Sequence, residues 1–100
     1  MNNSKYRISQ EAIEDLEQIW AYTWRKWSKE QADRYYNLII SEILFVVENF
    51  DTGKSAGLAG KEYRVSRVKS HLIFYKKTDD QIVEIVRILH QKMNTKKRLE

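Results

Sequence analysis

Residues 81–93 read Gln-Ile-Val-Glu-Ile-Val-Arg-Ile-Leu-His-Gln-Lys-Met, and this stretch decides the fold. Its apolar residues are mostly β-branched, which favours a strand. They fall on both alternating faces, in two sets: Ile82, Val86 and Ile88, then Val83, Ile85 and Leu89. A strand that is apolar on both faces is predicted to lie inside a sheet and to be covered on at least one side. Arg87 and His90, three residues apart near its end, should project to opposite sides of the pleat.

The composition describes one small folded domain. One hundred residues with 42% apolar and 12% aromatic content exclude a disordered chain and allow one modest core. There is no Cys, which excludes disulfides, thiol catalysis and cysteine-ligated zinc and indicates a reducing compartment. No apolar run approaches the roughly 20 residues of a membrane span, and the N-terminus lacks the apolar core of a signal peptide. We therefore expect a cytoplasmic single domain over residues 1–100, without a membrane partner.

Charge is divided unevenly between the two halves of the chain. Residues 1–50 carry six Lys or Arg against eight Asp or Glu, whereas residues 51–100 carry twelve against six. The C-terminal half is therefore basic, which indicates an acidic partner, either nucleic acid or an acidic protein segment. A solubilising surface explains the same shift about as well.

The N-terminal half predicts a short strand followed by two helices. Residues 5–8 alternate polar and apolar, and Ser9 is a good N-cap for a helix whose apolar residues recur at helical spacing as far as Trp27. Ser28, with Gln31 three residues later, forms a capping box that starts a second helix. Because almost no linker separates them, the two helices are predicted to form a helical hairpin, with the second helix more buried.

The C-terminal half predicts a loop, three strands and a tail. Residues 51–61 contain all three Gly and show no periodicity, so we expect a loop there. Residues 62–68, residues 71–77 and the opening stretch are predicted strands, and their short connections force antiparallel neighbours. Residues 94–100 are polar and basic and are expected to form a tail that frays.

The order of these elements defines the fold class. We predict an α+β fold with a short N-terminal strand, a helical hairpin and a three-stranded antiparallel meander, in the order β-α-α-β-β-β. The helical hairpin should cover one face of the sheet, and the N-terminal strand should pair at one edge.

Few residues suit metal or nucleotide chemistry. His71 and His90 are on different strands without a nearby ligand pair, so we expect neither a metal site nor a cofactor. Gly53-Lys54-Ser55 lacks the spacing of a phosphate-binding Walker loop and is not followed by a predicted helix.

One set of cationic residues on adjacent predicted strands is more suggestive: Arg64, Arg67, Arg87 and His90. Such a set could cleave RNA, because arginines hold and stabilise the scissile phosphate while a histidine transfers the proton. The alternative is that these arginines line an exposed sheet edge, where they bind a partner or pair with Glu62 or Glu84.

Three tryptophans lie on the first predicted helix, at positions 20, 24 and 27. Aromatic residues at helical spacing usually belong to the core, but three Trp on one helix are many for 100 residues. Trp24 and Trp27 are candidates for a partly exposed anchor, since Trp is over-represented at interface hot spots.

Two groups of residues carry a resemblance to a known family. The first comprises Ile8-Ser9, Ala12, Asp15-Leu16, Ile19-Trp20, Tyr22-Thr23, Trp27 and Gln31-Ala32. The second, which is the more specific, comprises Tyr63-Arg64, residues 70–75 and residues 85–93. Together they resemble the ParE branch of the RelE/ParE toxins from bacterial type II toxin–antitoxin modules. The likeness spans residues 6–93, and the family fold has the order of elements predicted above.

The resemblance implies one of two activities. RelE-like members cleave mRNA on the ribosome with a scattered set of Lys, Arg, Glu, His and Tyr, and some end this set with a His-Tyr pair. Here Gln91 follows His90, so that Tyr is missing. ParE-like members instead poison DNA gyrase and are not known as hydrolases. The resemblance therefore implies a non-enzymatic gyrase inhibitor, with a RelE-type ribosome-dependent endoribonuclease as the alternative.

The resemblance also implies partners. A small antitoxin would wrap the toxin with its C-terminal segment, cover an open strand edge and hold the toxin inactive. The resulting hetero-oligomer could bind operator DNA through the antitoxin. The expected partner-binding residues are Arg64, Arg67, Arg87, His90, Trp24 and Trp27, and no residue is expected to be catalytic. A third hypothesis is an inert relative whose antitoxin complex only binds operator DNA.

Overall fold

The computed structural model describes residues 6–58 and 61–99. Its elements are β1 (Tyr6–Ile8), α1 (Gln10–Lys26), α2 (Lys29–Glu48), a 3-10 turn (Phe50–Thr52), β2 (Lys54–Leu58), β3 (Lys61–Val68), β4 (His71–Lys77), β5 (Val83–His90) and α3 (Thr95–Leu99). This order confirms the predicted α+β fold class. None of the described helices is both long and apolar enough to cross a membrane.

Serine side chains start both long helices, as predicted. The Oγ atom of Ser9 accepts a hydrogen bond from the Ala12 N–H at 3.0 Å, and the Oγ atom of Ser28 accepts one from the Gln31 N–H at 3.1 Å. Each cap satisfies a backbone donor that the first helical turn leaves without a partner. Only Trp27 and Ser28 separate α1 from α2, so the two helices form the expected hairpin.

The strands form one sheet in the order β1-β5-β4-β3-β2. Neighbours from β2 to β5 are antiparallel, while β1 pairs in parallel with β5 and lies at an edge, as expected. β5 lies inside the sheet between β1 and β4, which agrees with the apolar residues on both of its faces. We call the side of the sheet that α1 and α2 cover the helix face, and the opposite side the outer face.

One strand lies where a loop was expected. β2 falls within residues 51–61 and pairs along β3, from Lys54 opposite Val65 to Leu58 opposite Lys61. The expectation of a loop was wrong here because β2 contains no β-branched or aromatic residue and so gives no local strand signal. β2 is a strand because its backbone pairs with that of β3.

A register shift changes the faces predicted for β5. Phe74 of β4 pairs with Arg87, but the next residue of β4 pairs with Ile85, which leaves Val86 as an extra residue on β5. Ile85 and Ile88 therefore both join the core under the helices, whereas Val86 packs on the outer face. The two alternating sets predicted for this strand were wrong, because the extra residue reverses the alternation beyond it.

Buried side chains form two clusters, one on each face of the sheet. The larger lies between the helices and the helix face, and it includes Leu16, Ile39, Ile43, Ile73, Tyr75, Ile85 and Ile88. The smaller lies on the outer face and consists of Tyr63, Phe74, Leu89 and Leu99. The sheet is thus covered by two long helices on one side and by the short α3 on the other.

α3 occupies the segment that was expected to fray as a tail. Asn94 caps it, because its side-chain oxygen accepts a hydrogen bond from the Lys97 N–H at 3.1 Å. Leu99 is only 4% exposed and packs in the outer-face cluster. Five residues are too few for a stable isolated helix, so contact with the sheet is what orders this one.

Gly53, just before β2, leaves the space that the side chain of Tyr75 occupies. The Tyr75 hydroxyl donates a hydrogen bond to the Phe50 carbonyl at 3.2 Å, and a Cβ atom at position 53 would overlap that hydroxyl oxygen. We expect Gly53→Ala to lower the free energy of unfolding by about 1–3 kcal/mol, the usual cost of overpacking.

Gly57→Ala is the matched control, because a Cβ atom there would meet no atom within 4 Å. Its free energy of unfolding should stay within about 0.5 kcal/mol of the parent value. Urea unfolding of the three proteins measures both effects. Equal unfolding midpoints for the two variants would show that Tyr75 does not depend on this space.

Candidate functional site

Two of the arginines predicted to act together lie on opposite faces of β3. Arg64 is on the helix face, where it donates a hydrogen bond to the Gly53 carbonyl at 2.7 Å and lies 5.1 Å from the centroid of the Phe50 ring. Arg67 is on the outer face, and its Nε donates to the Lys69 carbonyl at 2.7 Å. Arg64 therefore supports the turn before β2, and the two side chains cannot hold one phosphate between them.

Arg87 is held by a largely buried ion pair. Its Nε and Nη2 atoms donate to the two carboxylate oxygens of Asp15, at 2.8 and 2.9 Å. The backbone N–H of Ile88 donates to the same carboxylate at 2.9 Å. Hydrogen bonding to Asp15 raises the pKa of Arg87 above its ordinary value. Arg87 therefore stays charged and links β5 to α1.

A cleft of about 890 Å³ opens beside the end of β5 on the helix face. Side chains of α1 and α2 form its walls, and the ends of β4 and β5 form its floor. Aromatic and basic residues are prominent in its lining: Tyr22, Trp27, Arg34, Tyr35, Lys69, His71 and His90. Its volume lies within the range of about 300–1,000 Å³ that is usual for ligand sites.

Three polar side chains meet at the floor of this cleft. The register of β4 and β5 places His71 opposite His90, with ring centroids 5.2 Å apart. From α2, the Tyr35 hydroxyl lies 2.6 Å from His71 Nδ1 and 3.1 Å from the Val68 carbonyl oxygen. Both contacts are satisfied when Tyr35 donates to Val68 and accepts from His71, because a carbonyl can only accept. In this arrangement the Nε2 atom of His71 is the acceptor of the ring.

A backbone contact gives the two ring nitrogens of His90 the opposite donor and acceptor roles from those of His71. Its Nδ1 atom accepts a hydrogen bond from the Lys92 N–H at 3.1 Å, so the neutral ring carries its proton on Nε2. The floor therefore presents an acceptor on His71 beside a donor on His90. Such a pair can accept one hydrogen bond and donate another, so it can recognise a polar group of a partner.

Burial limits the chemistry of this floor. Burial, followed by the neighbouring His90, lowers the pKa of His71 to about 4, and burial raises the pKa of Tyr35 above its ordinary value. Both groups are therefore neutral at pH 7. A general base works best with a pKa near the operating pH, so His71 is a weak one. Within residues 6–58 and 61–99, no group of three His, Asp or Glu side chains could hold a metal ion.

Tyr35 and His71 were not among the predicted site residues. Tyr35 lies on the second predicted helix, where it was given no role, and His71 was considered only as a metal ligand. The sequence has no Tyr directly after His90, but Tyr35 on α2 brings a phenol to the same place. Its hydroxyl contacts His71 instead of His90. The short turn between β4 and β5 could have indicated that His71 faces His90, but no local signal placed Tyr35 beside them.

The tryptophans differ in exposure. Trp24 is 47% exposed and Trp27 is 69% exposed. Trp20 is half-buried, and its Nε1 donates a hydrogen bond to the Asp33 carboxylate at 2.9 Å. Its ring packs edge-on against the Trp24 ring, with the two ring centroids 4.8 Å apart. Trp27 lines the cleft together with His90. The structure thus brings two of the six predicted partner-binding residues together.

Comparison with known proteins places the chain in a family. Residues 6–95 match the family model described as the ParE toxin of a type II toxin–antitoxin system, parDE. The chain belongs to the ParE toxin family. It is therefore a toxin of a type II toxin–antitoxin system, as the sequence resemblance indicated, and such a system implies an antitoxin partner.

Relatives and a solved structure agree with this assignment. The chain is 31% identical to Toxin ParE1 of Mycobacterium tuberculosis over 97 residues, which cover 97% of this chain and 99% of that toxin. It is 35% identical to Toxin ParE1 of Caulobacter vibrioides over 94 residues, or 94% and 96% of the two chains. A solved chain of the chromosomal ParDE system from P. aeruginosa aligns with a TM-score of 0.75 over 87% of this chain and 95% of that one. At 13% identity, that likeness shows the shared fold alone.

The buried ion pair predicts a large effect from a small substitution. Asp15→Asn keeps the size of the side chain but removes the buried counter-charge of Arg87, which then has only the exposed Glu11 carboxylate at 3.8 Å. We expect the free energy of unfolding to fall by about 3 kcal/mol, because removing one partner of a buried pair leaves an uncompensated charge.

The exposed pair between Lys29 and Asp33, at 2.9 Å on α2, supplies the control. Lys29→Gln breaks this pair and should cost less than about 1 kcal/mol. Urea unfolding compares both variants with the parent protein. Similar losses in the two variants would contradict a structural role for Asp15.

His71 makes stability depend on pH. Its pKa is about 4 in the folded chain, against 6.5 as the ordinary value. Between these values the unfolded chain binds a proton that the folded chain does not, so stability falls as the pH falls from about 6.5 towards 4. His71 is partly solvated, and we therefore expect a loss of only about 1 kcal/mol between pH 7 and pH 5.

His71→Asn removes this titration. Urea unfolding of both proteins across this pH range should show a shallower loss of stability in the variant. Parallel pH profiles would mean that His71 titrates alike in the folded and unfolded chains.

Proposed function

We propose that this toxin inhibits DNA gyrase without catalysing a reaction and that an antitoxin neutralises it by binding in the helix-face cleft. The separation of the arginines carries the non-enzymatic part of the proposal. Arg64 is committed to the turn before β2, Arg87 is committed to Asp15, and Arg67 lies on the outer face. None of these three arginines is therefore placed to stabilise the transition state of a phosphodiester bound over His71. Membership of the ParE family supports gyrase as the target.

The lining of the cleft supports a peptide as its occupant. Tyr22, Trp27 and Leu38 are exposed apolar side chains on its walls. Arg34 and Lys69, also exposed, add positive charge at its rim. An amphipathic antitoxin helix with an apolar stripe and flanking carboxylates would complement both features.

The residues expected to bind partners take different roles in this proposal. Trp27 and His90 would contact the antitoxin directly, and the exposed Trp24 on α1 would be an aromatic anchor outside the cleft lining. Arg67 is free to contact a partner on the outer face. Arg64 and Arg87 would act indirectly, through the turn and the helix that they hold. The toxin would act in the cytoplasm, where gyrase works, and its antitoxin complex would bind operator DNA through the antitoxin.

One observation favours a second candidate, the ribosome-dependent endoribonuclease. The Nε2 atom of His71 could accept the proton of an RNA 2′-hydroxyl, and the Nε2–H of His90 could donate a hydrogen bond to the scissile phosphate. The pKa of about 4 for His71 and the committed arginines make this array a poor catalyst. We therefore favour gyrase inhibition.

A supercoiling assay tests the first proposal. Purified toxin at micromolar concentration should block supercoiling of relaxed plasmid by gyrase. The double variant Tyr35→Phe, His71→Asn should inhibit as strongly as the parent, because proton transfer has no part in gyrase inhibition. Unimpeded supercoiling by the parent protein would refute the proposed target.

The same two proteins distinguish the second candidate. Primer extension on a translated message should show no toxin-dependent cleavage with either protein. Cleavage by the parent that disappears in the double variant would establish the endoribonuclease instead. Circular dichroism of both proteins controls for loss of fold.

A further inference from the structure

The outer face of the sheet collects positive charge that the proposed function does not fully use. Cross-strand partners share a face, so the register assigns each side chain to one side of the sheet. Lys54 is opposite Val65, and Arg67 is opposite Leu72. Val65 and Leu72 both pack against the outer-face cluster. Lys54 and Arg67 therefore project from the outer face.

β4 and α3 extend this positive region. Lys76 lies two residues beyond the buried Phe74 on β4, and so it projects from the same face. The three consecutive basic residues of α3 are exposed, while Leu99 holds the helix against the sheet. We call this set the outer cationic surface, and its members are Lys54, Arg67, Lys76, Lys96, Lys97 and Arg98.

Negative charge on this face is sparse. Among the described strand residues that project from it, Glu84 is the only carboxylate. Its Oε2 atom lies 3.4 Å from Nε of Arg7, its neighbour on β1, so an additional cation already balances it. The cations of the surface therefore keep a strong excess of positive charge.

α3 holds the backbone of its three basic residues in place. The Arg98 N–H donates to the Asn94 carbonyl at 3.2 Å, and the Arg98 carbonyl accepts a bond from Nη1 of Arg87 at 3.3 Å. Arg87 is itself fixed by Asp15. A flexible basic tail would have to be ordered when it bound a partner, whereas these side chains extend from an ordered helix. This pre-organisation reduces the entropic cost of binding.

We propose that the outer cationic surface binds the sugar–phosphate backbone of duplex DNA. Its charges come from three strands and a helix, so they are spread over a broad area. Five strands at a spacing of about 4.8 Å make a sheet about 20 Å wide. A duplex of that length carries roughly a dozen phosphates, because it has one charge per about 1.7 Å of axis. An acidic peptide is narrower than this surface and would contact only some of its cations.

The proposed contact is with phosphates and is independent of base sequence. It uses the side of the sheet opposite to the cleft, so an antitoxin helix in the cleft would leave the surface available. The contact goes beyond gyrase inhibition, since it requires no gyrase. It would place the toxin on the DNA that gyrase holds.

Fluorescence anisotropy with a short labelled duplex of arbitrary sequence tests this proposal in the absence of gyrase. The full-length toxin should bind at about 50 mM salt, and log Kobs should fall linearly with log salt up to about 200 mM. A supercoiling assay on the same preparations is read separately. Failure to bind DNA would leave gyrase inhibition standing, and failure to inhibit gyrase would leave DNA binding standing.

Two double variants that remove equal charge locate the site. Lys96→Gln with Lys97→Gln should reduce the salt slope by about 2, one for each lost phosphate contact. Arg25→Gln with Lys26→Gln, in the exposed last turn of α1, should leave the slope unchanged. All four residues are exposed, so neither double variant should disturb the fold.

Leu99→Ala tests pre-organisation, because it keeps every charge and removes the anchor of α3. Binding should weaken by roughly three- to tenfold, as expected when a basic side chain must be ordered on binding. Three results would overturn the proposal. They are no binding at low salt, equal slope changes in the two double variants, and displacement of the duplex by polyglutamate more readily than by unlabelled duplex.

Discussion

The carboxylate of Asp15 joins the helical layer of this protein to its sheet. It accepts hydrogen bonds from the Arg87 side chain and the Ile88 backbone at the point where β1 has ended. Ser9 continues the same contact, since its hydroxyl donates to the Val86 carbonyl at 2.7 Å. α1 thus pairs polar backbone groups of β5 that would otherwise need another strand. Desolvation offsets much of the Coulomb energy of such a pair, so its main effect is to fix where α1 lies along β5.

The position of α1 in turn decides where the cleft opens. With its N-terminal half fixed beside β5, α1 carries Tyr22 in its C-terminal half, and Trp27 directly after its end, to the wall of the cleft. The hydroxyl of Tyr35 holds α2 to the turn between β3 and β4 through Val68 and His71. One wall of the cleft is therefore set by an ion pair and the other by a neutral hydrogen-bond network, and the floor between them is the end of β4 and β5.

Elements with local signals could be predicted from the sequence, and elements made by tertiary contact could not. Ser9 and Ser28 cap their helices within three residues, so the helical hairpin was predictable. β2 has no β-branched residue and exists through its pairing with β3, and α3 is five residues ordered by the burial of Leu99. The extra residue at Val86 depends on the register of two strands, which no single strand encodes.

The amount of charge could be read from the sequence, whereas the position of each charge depends on tertiary contacts. The sequence shows that the C-terminal half is basic, but alternation along β3 sends Arg64 and Arg67 to opposite faces. Lys54 and Lys96 could not be assigned to one surface, because each lies on an element that gave no local signal. Since every strand of the sheet faces both ways, one strand can contribute to both surfaces: β4 places His71 in the cleft and Lys76 on the outer cationic surface. A partner on one face therefore leaves the side chains of the other face free, and a small domain gains two independent surfaces from one sheet.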